Sequence, residues 1–192
     1  MVQIAEASAP ASGKPQTALV LAELGQTLNT QYLIFTLGGE SFAIGILSIK
    51  EIIEFGQLTE VPMMPTVVRG VINLRGAVVP VIDLAVRFGR PPTKVARRTC
   101  IVIIELINDD VRMDVGIVVD SVNEVIDILK NDIEAPPSFG ARIRTDFIAG
   151  MGKVNGNFVI ILDVIKVLSF EEIESMSNFG ENPSPIPREA EH

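Results

Sequence analysis

The side chains from which this chain could build a reactive centre are few. Two carboxylate pairs are adjacent in sequence, Asp109-Asp110 and Glu171-Glu172, and paired carboxylates are the least that acid–base catalysis requires. Asp132 and Glu134 precede Pro136-Pro137 in a loop. Turn chemistry and a solvated helix face account for these groups without any reaction. The one histidine, His192, is the last residue of the sequence, so a Ser–His–Asp or Cys–His arrangement has no base to use. The one cysteine, Cys100, lies in the apolar run CIVIIELI and reads as a small core residue. A zinc site needs several Cys or His ligands, and the sequence lacks them. No GxxxxGK[ST] phosphate loop is present. GMGKVNG starts as GxG, but a strand hairpin follows it where a dinucleotide site needs a helix. No cofactor is expected, and no enzymatic activity.

The unusual charge is Arg75, set in the apolar stretch GVINLRGAVVPVIDL (70–84). The same pattern returns at 150–164 as GMGKVNGNFVIILDV. Laid over each other, Gly70 meets Gly150, Gly76 meets Gly156 and Asp83 meets Asp163, with apolar residues matched between them. A second pair of segments agrees: in FAIGILSIKEIIE (42–54) and VGIVVDSVNEVID (115–127), Ile49 meets Val122, Glu51 meets Glu124 and Ile52 meets Val125. The chain is therefore one unit written twice.

The elements that must position these residues are strands. Val and Ile dominate a composition that is 47% hydrophobic and only 5% aromatic. QYLIFTL alternates and stops at Gly38-Gly39, and TCIVIIELI stops at Asn108-Asp109-Asp110, each before another strand. LSIKEIIE also fits a helical stripe, but its counterpart SVNEVIDI alternates at period two, so both read as strands. Segments 83–88 and 163–176 read as helices, with Asp83 and Asp163 as N-caps or first-turn residues. Asp114 and Asp120 mark the solvent face of a Val-rich strand, with Asp120 also a candidate contact residue. The connector GRPPTKVARR (89–98) reads as solvated. Short strands without long intervening helices point to an all-β protein of small barrels or a sandwich.

A net charge of −8 argues against a nucleic-acid partner, which needs clustered Lys and Arg. No run reaches the roughly 18 apolar residues of a membrane helix. A lone cysteine fits a reducing cytoplasm. Residues 1–29 and 177–192 are expected to be flexible extensions, with a possible helical turn or two at 18–28. A large apolar repeat with few reactive groups favours a binding module. The rival class is a small-ligand-binding β-barrel, which needs converging polar groups in a pocket.

The segments YLIFTLGGESFAIGILSIKEII, VPMMPTVVRGVINLRGAVVPVIDLAVRF, VGIVVDSVNEVIDI and TDFIAGMGKVNGNFVIILDVIKVL resemble the CheW family of chemotaxis coupling proteins, over about Gln31 to Leu168. The resemblance implies two tandem five-stranded SH3-like barrels with short helices: the first at about 30–92, the second at about 97–162, and a C-terminal helix at about 163–176, within a CheW-like domain of 30–170. It implies a non-enzymatic adaptor linking chemoreceptor cytoplasmic tips to the regulatory domain of the histidine kinase CheA, at the inner face of the membrane without inserting into it, and monomeric alone. A coupler serving pilus motility or development would look the same. Carried over by position, the receptor-facing residues are Ile49, Glu51, Ile52, Gly70, Asn73 and Arg75. The kinase-facing ones are Gly116, Val122 and Val125. Ile49 and Ile52 are candidate helix-gripping anchors, with a core position the favoured reading of the residues alone, while Glu51 should face out.

Within the repeat, Arg75-Gly76 stands where the second copy has Asn155-Gly156, a favoured hairpin pair because both residues tolerate positive φ. If the turns are alike, arginine there costs about 1 kcal/mol against asparagine. Pro80, opposite Ile160, suggests that the return strand of the first copy is an edge or bulged strand.

Overall fold

The structure is a computed structural model that describes residues 30–108, 111–136 and 143–169. Asp109, Asp110, Pro137, Glu171, Glu172, His192 and the segments read above as extensions lie outside the described residues. The strands are β1 (Thr30–Leu37), β2 (Glu40–Gly45), β3 (Ile49–Glu54), β4 (Val68–Leu74), β5 (Ala77–Asp83), β6 (Cys100–Asn108), β7 (Val111–Val119), β8 (Ser121–Ile128), β9 (Ile133–Glu134), β10 (Ile148–Val154) and β11 (Asn157–Leu162). Helix α1 (Leu84–Arg87) follows β5, and α2 (Val164–Leu168) follows β11. LSIKEIIE is a strand entered through a 3₁₀ turn at Ile46–Ser48.

These strands form two sheets, β3-β6-β7-β5-β4 and β8-β1-β2-β11-β10-β9. The repeat explains both orders. If β1 to β5 correspond to β6, β7, β8, β10 and β11, the first sheet maps strand by strand onto the second, and only the two-residue β9 is extra. The hydrogen-bond registers repeat as well. Lys50 is skipped between Ile49↔Ile104 and Glu51↔Ile103, and Asn123 is skipped between Val122↔Phe35 and Glu124↔Ile34. Arg69 and Ala149 are skipped at matching places in the two hairpins. Two β-bulges thus recur in both copies and add twist where each sheet curls.

The barrel boundaries expected at 30–92 and 97–162 need correction. Hairpin β1–β2 pairs with β8 and, in parallel, with β11, all from the second half. Hairpin β6–β7 pairs with β3 and, in parallel, with β5 of the first half. Each barrel therefore borrows its leading hairpin from the other copy. The borrowed strands are buried on both faces. On β6, Ile101 and Ile103 fill the interior of their own barrel, while Val102, Ile104 and Leu106 enter a core shared with Leu33, Phe35, Leu37 and Phe42. An unbroken apolar run such as CIVIIELI is what a strand with two dry faces requires. Burying a side chain of this size contributes about 1.5–3 kcal/mol, so the shared core ties the barrels together.

A further expectation changes. Pro80 is not on an edge strand: β5 lies between β4 and β7. Its pairing with β7 begins only at Val81. Its β4 partner Val71 spends its backbone groups on Thr59, so the missing N–H of Pro80 breaks no bond in the hairpin. The connector 89–98 is solvent-exposed along most of its length, as expected, with the buried Thr93 within it and the buried Thr99 just after it anchoring it. Helix α2 spans Val164–Leu168 and is followed by Ser169 in the left-handed region at φ 46°, while residues 170–176 of the expected helix lie outside the described residues.

Candidate functional site

In the first-copy hairpin, Leu74 pairs with Ala77, leaving Arg75 and Gly76 as a two-residue loop. Their φ values are 52° and 92°, and Asn155 and Gly156 stand at 49° and 80°. Positive φ at both central positions is the type I′ signature, which matches the right-handed strand twist. The turns are the same, and only the first places a long charged side chain in a left-handed conformation that asparagine tolerates better. Asn73 stabilises that turn, its Oδ1 accepting from the Gly76 N–H at 2.9 Å.

The guanidinium of Arg75 reaches Glu51, with Nη2 to Oε2 at 3.1 Å. Glu51 sits on β3 and Arg75 at the end of β4, the two outer strands of one sheet. A five-stranded sheet brings its outer strands together only by curling, so the pair spans the seam of the barrel. The Arg75 side chain is 76% exposed and that of Glu51 23%. An ion pair this exposed contributes about 0–1 kcal/mol, no more than the backbone strain removes. The other carboxylate oxygen, Oε1, is buried and has no hydrogen-bond partner among the described residues. Stability does not account for the arrangement, which presents five guanidinium donors beside a carboxylate with spare accepting capacity.

Next to Glu51 in sequence but on the other face of β3, Ile52 is 41% exposed, whereas Ile49 leans into the shared core. Lys50, pushed outward by its bulge, binds Asp114 at 2.7 Å. That hydrogen bond holds the Lys50 ammonium above its ordinary value. Its contribution is therefore present through neutral pH and is lost only as pH rises past the lysine range.

The structure groups Glu51, Asn73 and Arg75 at one end of the barrel, turns Ile52 to the opposite face of β3 from Glu51, and separates Gly70 from them in role. Gly70 is buried at φ 149°, and a Cβ there would lie 2.7 Å from the Thr59 carbonyl oxygen. Its place in the site is structural, because the backbone of Thr59 closes over it through the Thr59–Val71 bridge. Gly70→Ala is expected to cost about 1–3 kcal/mol in urea unfolding while leaving the surface chemistry of the folded fraction unchanged.

The second set of expected contacts needs the same sorting. Gly116 is buried, and a Cβ there would meet Ile101 Cγ2 at 2.8 Å and Val81 Cγ2 at 3.2 Å. It serves close packing of β7 between β6 and β5 and cannot offer a contact surface. Val122 packs partly against the shared core. Val125, 47% exposed on the outer strand β8, is the one of the three that points a large apolar surface at solvent. Asp114 and Asp120 are both engaged within the molecule. Asp120 accepts the Gly38 N–H at 2.6 Å and so pins the β1–β2 turn.

Sequence reasoning missed the role of Arg69. Its Nη1 lies 3.1 Å from Oδ2 of Asp83, a side chain with no solvent exposure. A charge inside an otherwise apolar hairpin, where the second copy has Ala149, was the available signal.

A model of the CheW-like domain matches residues 31–172. The chemotaxis protein CheW of Klebsiella aerogenes is 35% identical over 158 residues, covering 82% of this chain and 93% of that protein. The chemotaxis protein CheW of Helicobacter pylori is 36% identical over 138 residues, covering 72% and 81%. Among solved structures, the scaffolding protein TtCheW from Thermoanaerobacter tengcongensis superposes with a TM-score of 0.65 at 33% identity, over 71% of this chain and 86% of that one.

Proposed function

We propose, from the premise that this chain belongs to the CheW-like domain family and is a chemotaxis coupling scaffold, that it joins the cytoplasmic tips of chemoreceptors to the regulatory domain of a CheA-type histidine kinase. It does so by binding alone, without catalysis, as a monomer recruited to receptor arrays at the cytoplasmic face of the membrane.

The observation that carries this reading is Arg75, held at φ 52° in a turn whose second copy uses asparagine, and braced by a carboxylate with one oxygen unpaired among the described residues. A residue kept against local backbone preference, with little return in stability, is the usual mark of a contact site. The receptor face comprises Glu51 and Arg75, with Ile52 on the other face of the outer strand β3, Asn73 and Gly70 shaping the hairpin beneath and Ile49 anchoring β3. A helical hairpin tip would place carbonyl or carboxylate oxygens on the guanidinium.

The kinase face is assigned to β8, around Val125. It lies on the other sheet from Arg75, so one adaptor can hold both partners at once. Val125→Asp is expected to weaken binding to an isolated kinase regulatory domain about tenfold or more, with receptor binding and the melting curve little changed. Calorimetry of the two binding reactions checks this, and equal losses in both would remove Val125 from a kinase-specific face. The whole reading is tested by reconstituting receptor, kinase and adaptor. Receptor-dependent stimulation of autophosphorylation must require this chain, and failure to bind either partner would end the proposal.

A further inference from the structure

A cavity of about 770 Å³ opens where the two barrels meet, away from the seam of Arg75. Ala85 and Phe88 at the end of α1 line it on one side, and the connector through Pro91, Pro92 and Lys94 on the other. Arg90 and Lys94 also line it, and Arg97 and Arg98 follow on the exposed connector next to the lining residue Ala96. Arg90 is bound to Glu40, but Lys94, Arg97 and Arg98 make no ion pair among the described residues. Three free cations within five residues stand out in a chain of net charge −8.

The natural complement lies in the same chain. Residues 170–192 carry Glu171, Glu172, Glu174, Glu181, Glu189 and Glu191 against the single basic Arg188. They also begin with the apolar residues Phe170, Ile173 and Met176 spaced at three. The point of departure is favourable. The Val167 carbonyl of α2 accepts from Arg87 Nε at 2.7 Å, which seats α2 beside α1. The chain then leaves the described fold at Ser169, two residues further on. Helix α1 is four residues long, about 6 Å, and its C-cap Phe88 lines the cavity. At about 3.3 Å per extended residue, a few residues span that distance. A tethered segment acts at an effective concentration near the millimolar range, so even weak charge pairing holds it.

We infer that the acidic segment following Ser169 docks in cis on the connector, with Glu171, Glu172 and Glu174 against Lys94, Arg97 and Arg98 and its apolar residues over Phe88. The covered cavity would then be an internal binding site for the chain's own tail, separate from both proposed partner faces.

Hydrogen exchange on the full chain, read by mass spectrometry, tests this. At low salt the amides of residues 171–179 should exchange about tenfold more slowly than an unstructured peptide. The slowing should vanish near 0.5 M salt, where screening shortens the reach of charge to a few ångströms. It should also vanish in the full-length variant Lys94→Gln/Arg97→Gln/Arg98→Gln, with β-strand amides unaffected. Should that variant melt lower, Glu171→Gln/Glu172→Gln/Glu174→Gln gives the same test from the other side. Unstructured exchange rates in the unmodified chain would overturn the inference. So would slowing that survives both neutralisations, which would mean a helix of its own, or slowing that grows with protein concentration, which would mean docking on a second copy.

Discussion

Replacing Asp83 with alanine is expected to lower the unfolding free energy by roughly 3–5 kcal/mol, read from urea melts. The carboxylate has no solvent exposure. Oδ1 accepts the Ala85 N–H at 3.0 Å and the Thr93 hydroxyl at 2.9 Å. Oδ2 accepts the Thr93 N–H at 2.9 Å and Arg69 Nη1 at 3.1 Å. One side chain therefore caps α1, holds the connector between the halves and neutralises a partly buried guanidinium. Removing it strands a charge and three donors, and a stranded buried group costs its whole desolvation. The second copy supplies the control. Asp163 caps α2 through the Lys166 N–H, and its carboxylate is 27% exposed beside the Lys166 ammonium. Asp163→Ala should cost only about 1 kcal/mol, as loss of a cap does. Equal effects at the two positions would show that the Arg69 and Thr93 contacts contribute nothing.

Arg75→Asn should separate stability from function. It installs in the first hairpin the residue that the second copy uses at φ 49°. Relief of strain is worth about 1 kcal/mol, and loss of the exposed pair with Glu51 costs about as much or less. The melting temperature should stay level or rise slightly. Receptor-dependent kinase stimulation in the reconstituted system should fall at least about tenfold, because the planar donor group is gone while the hairpin is intact. A drop in melting temperature of several degrees would make Arg75 a structural residue. Unchanged stimulation would remove it from the receptor face.

Much of this was legible in the residues. The strands and the hairpin turn pairs follow from local pattern: alternation marks the strands, and Arg75-Gly76 and Asn155-Gly156 stand where a tight turn falls, whereas the bulges and the turn type came from the structure. The matching of Ile49, Glu51 and Ile52 with Val122, Glu124 and Val125 reappears as matching backbone pairing on two outer strands. Both aspartate caps stood in the sequence for the same reason, since a helix start needs an acceptor for its free N–H groups. What misled was burial. Gly116 and Gly70 resemble contact positions in sequence, yet each is a glycine because a neighbour leaves no room for a Cβ. The anchoring of the exposed connector was not legible, because its two threonines bond to Asp83 and to the Ala96 backbone, relations that no periodicity encodes.

The sequence by itself determined two copies of one strand-rich unit, their turns and their caps, because each depends on residues within a few positions of one another. Only the tertiary structure decided that the copies exchange their leading hairpins. Both copies carry the same alternation, so either partner satisfies the hydrogen bonds of β1–β2 and β6–β7. The choice rests on burying the second face of those strands in a core drawn from both halves. The same closure brings Arg75 to Glu51 across a seam between two outer strands, and it turns a strained arginine in a hairpin into a braced contact.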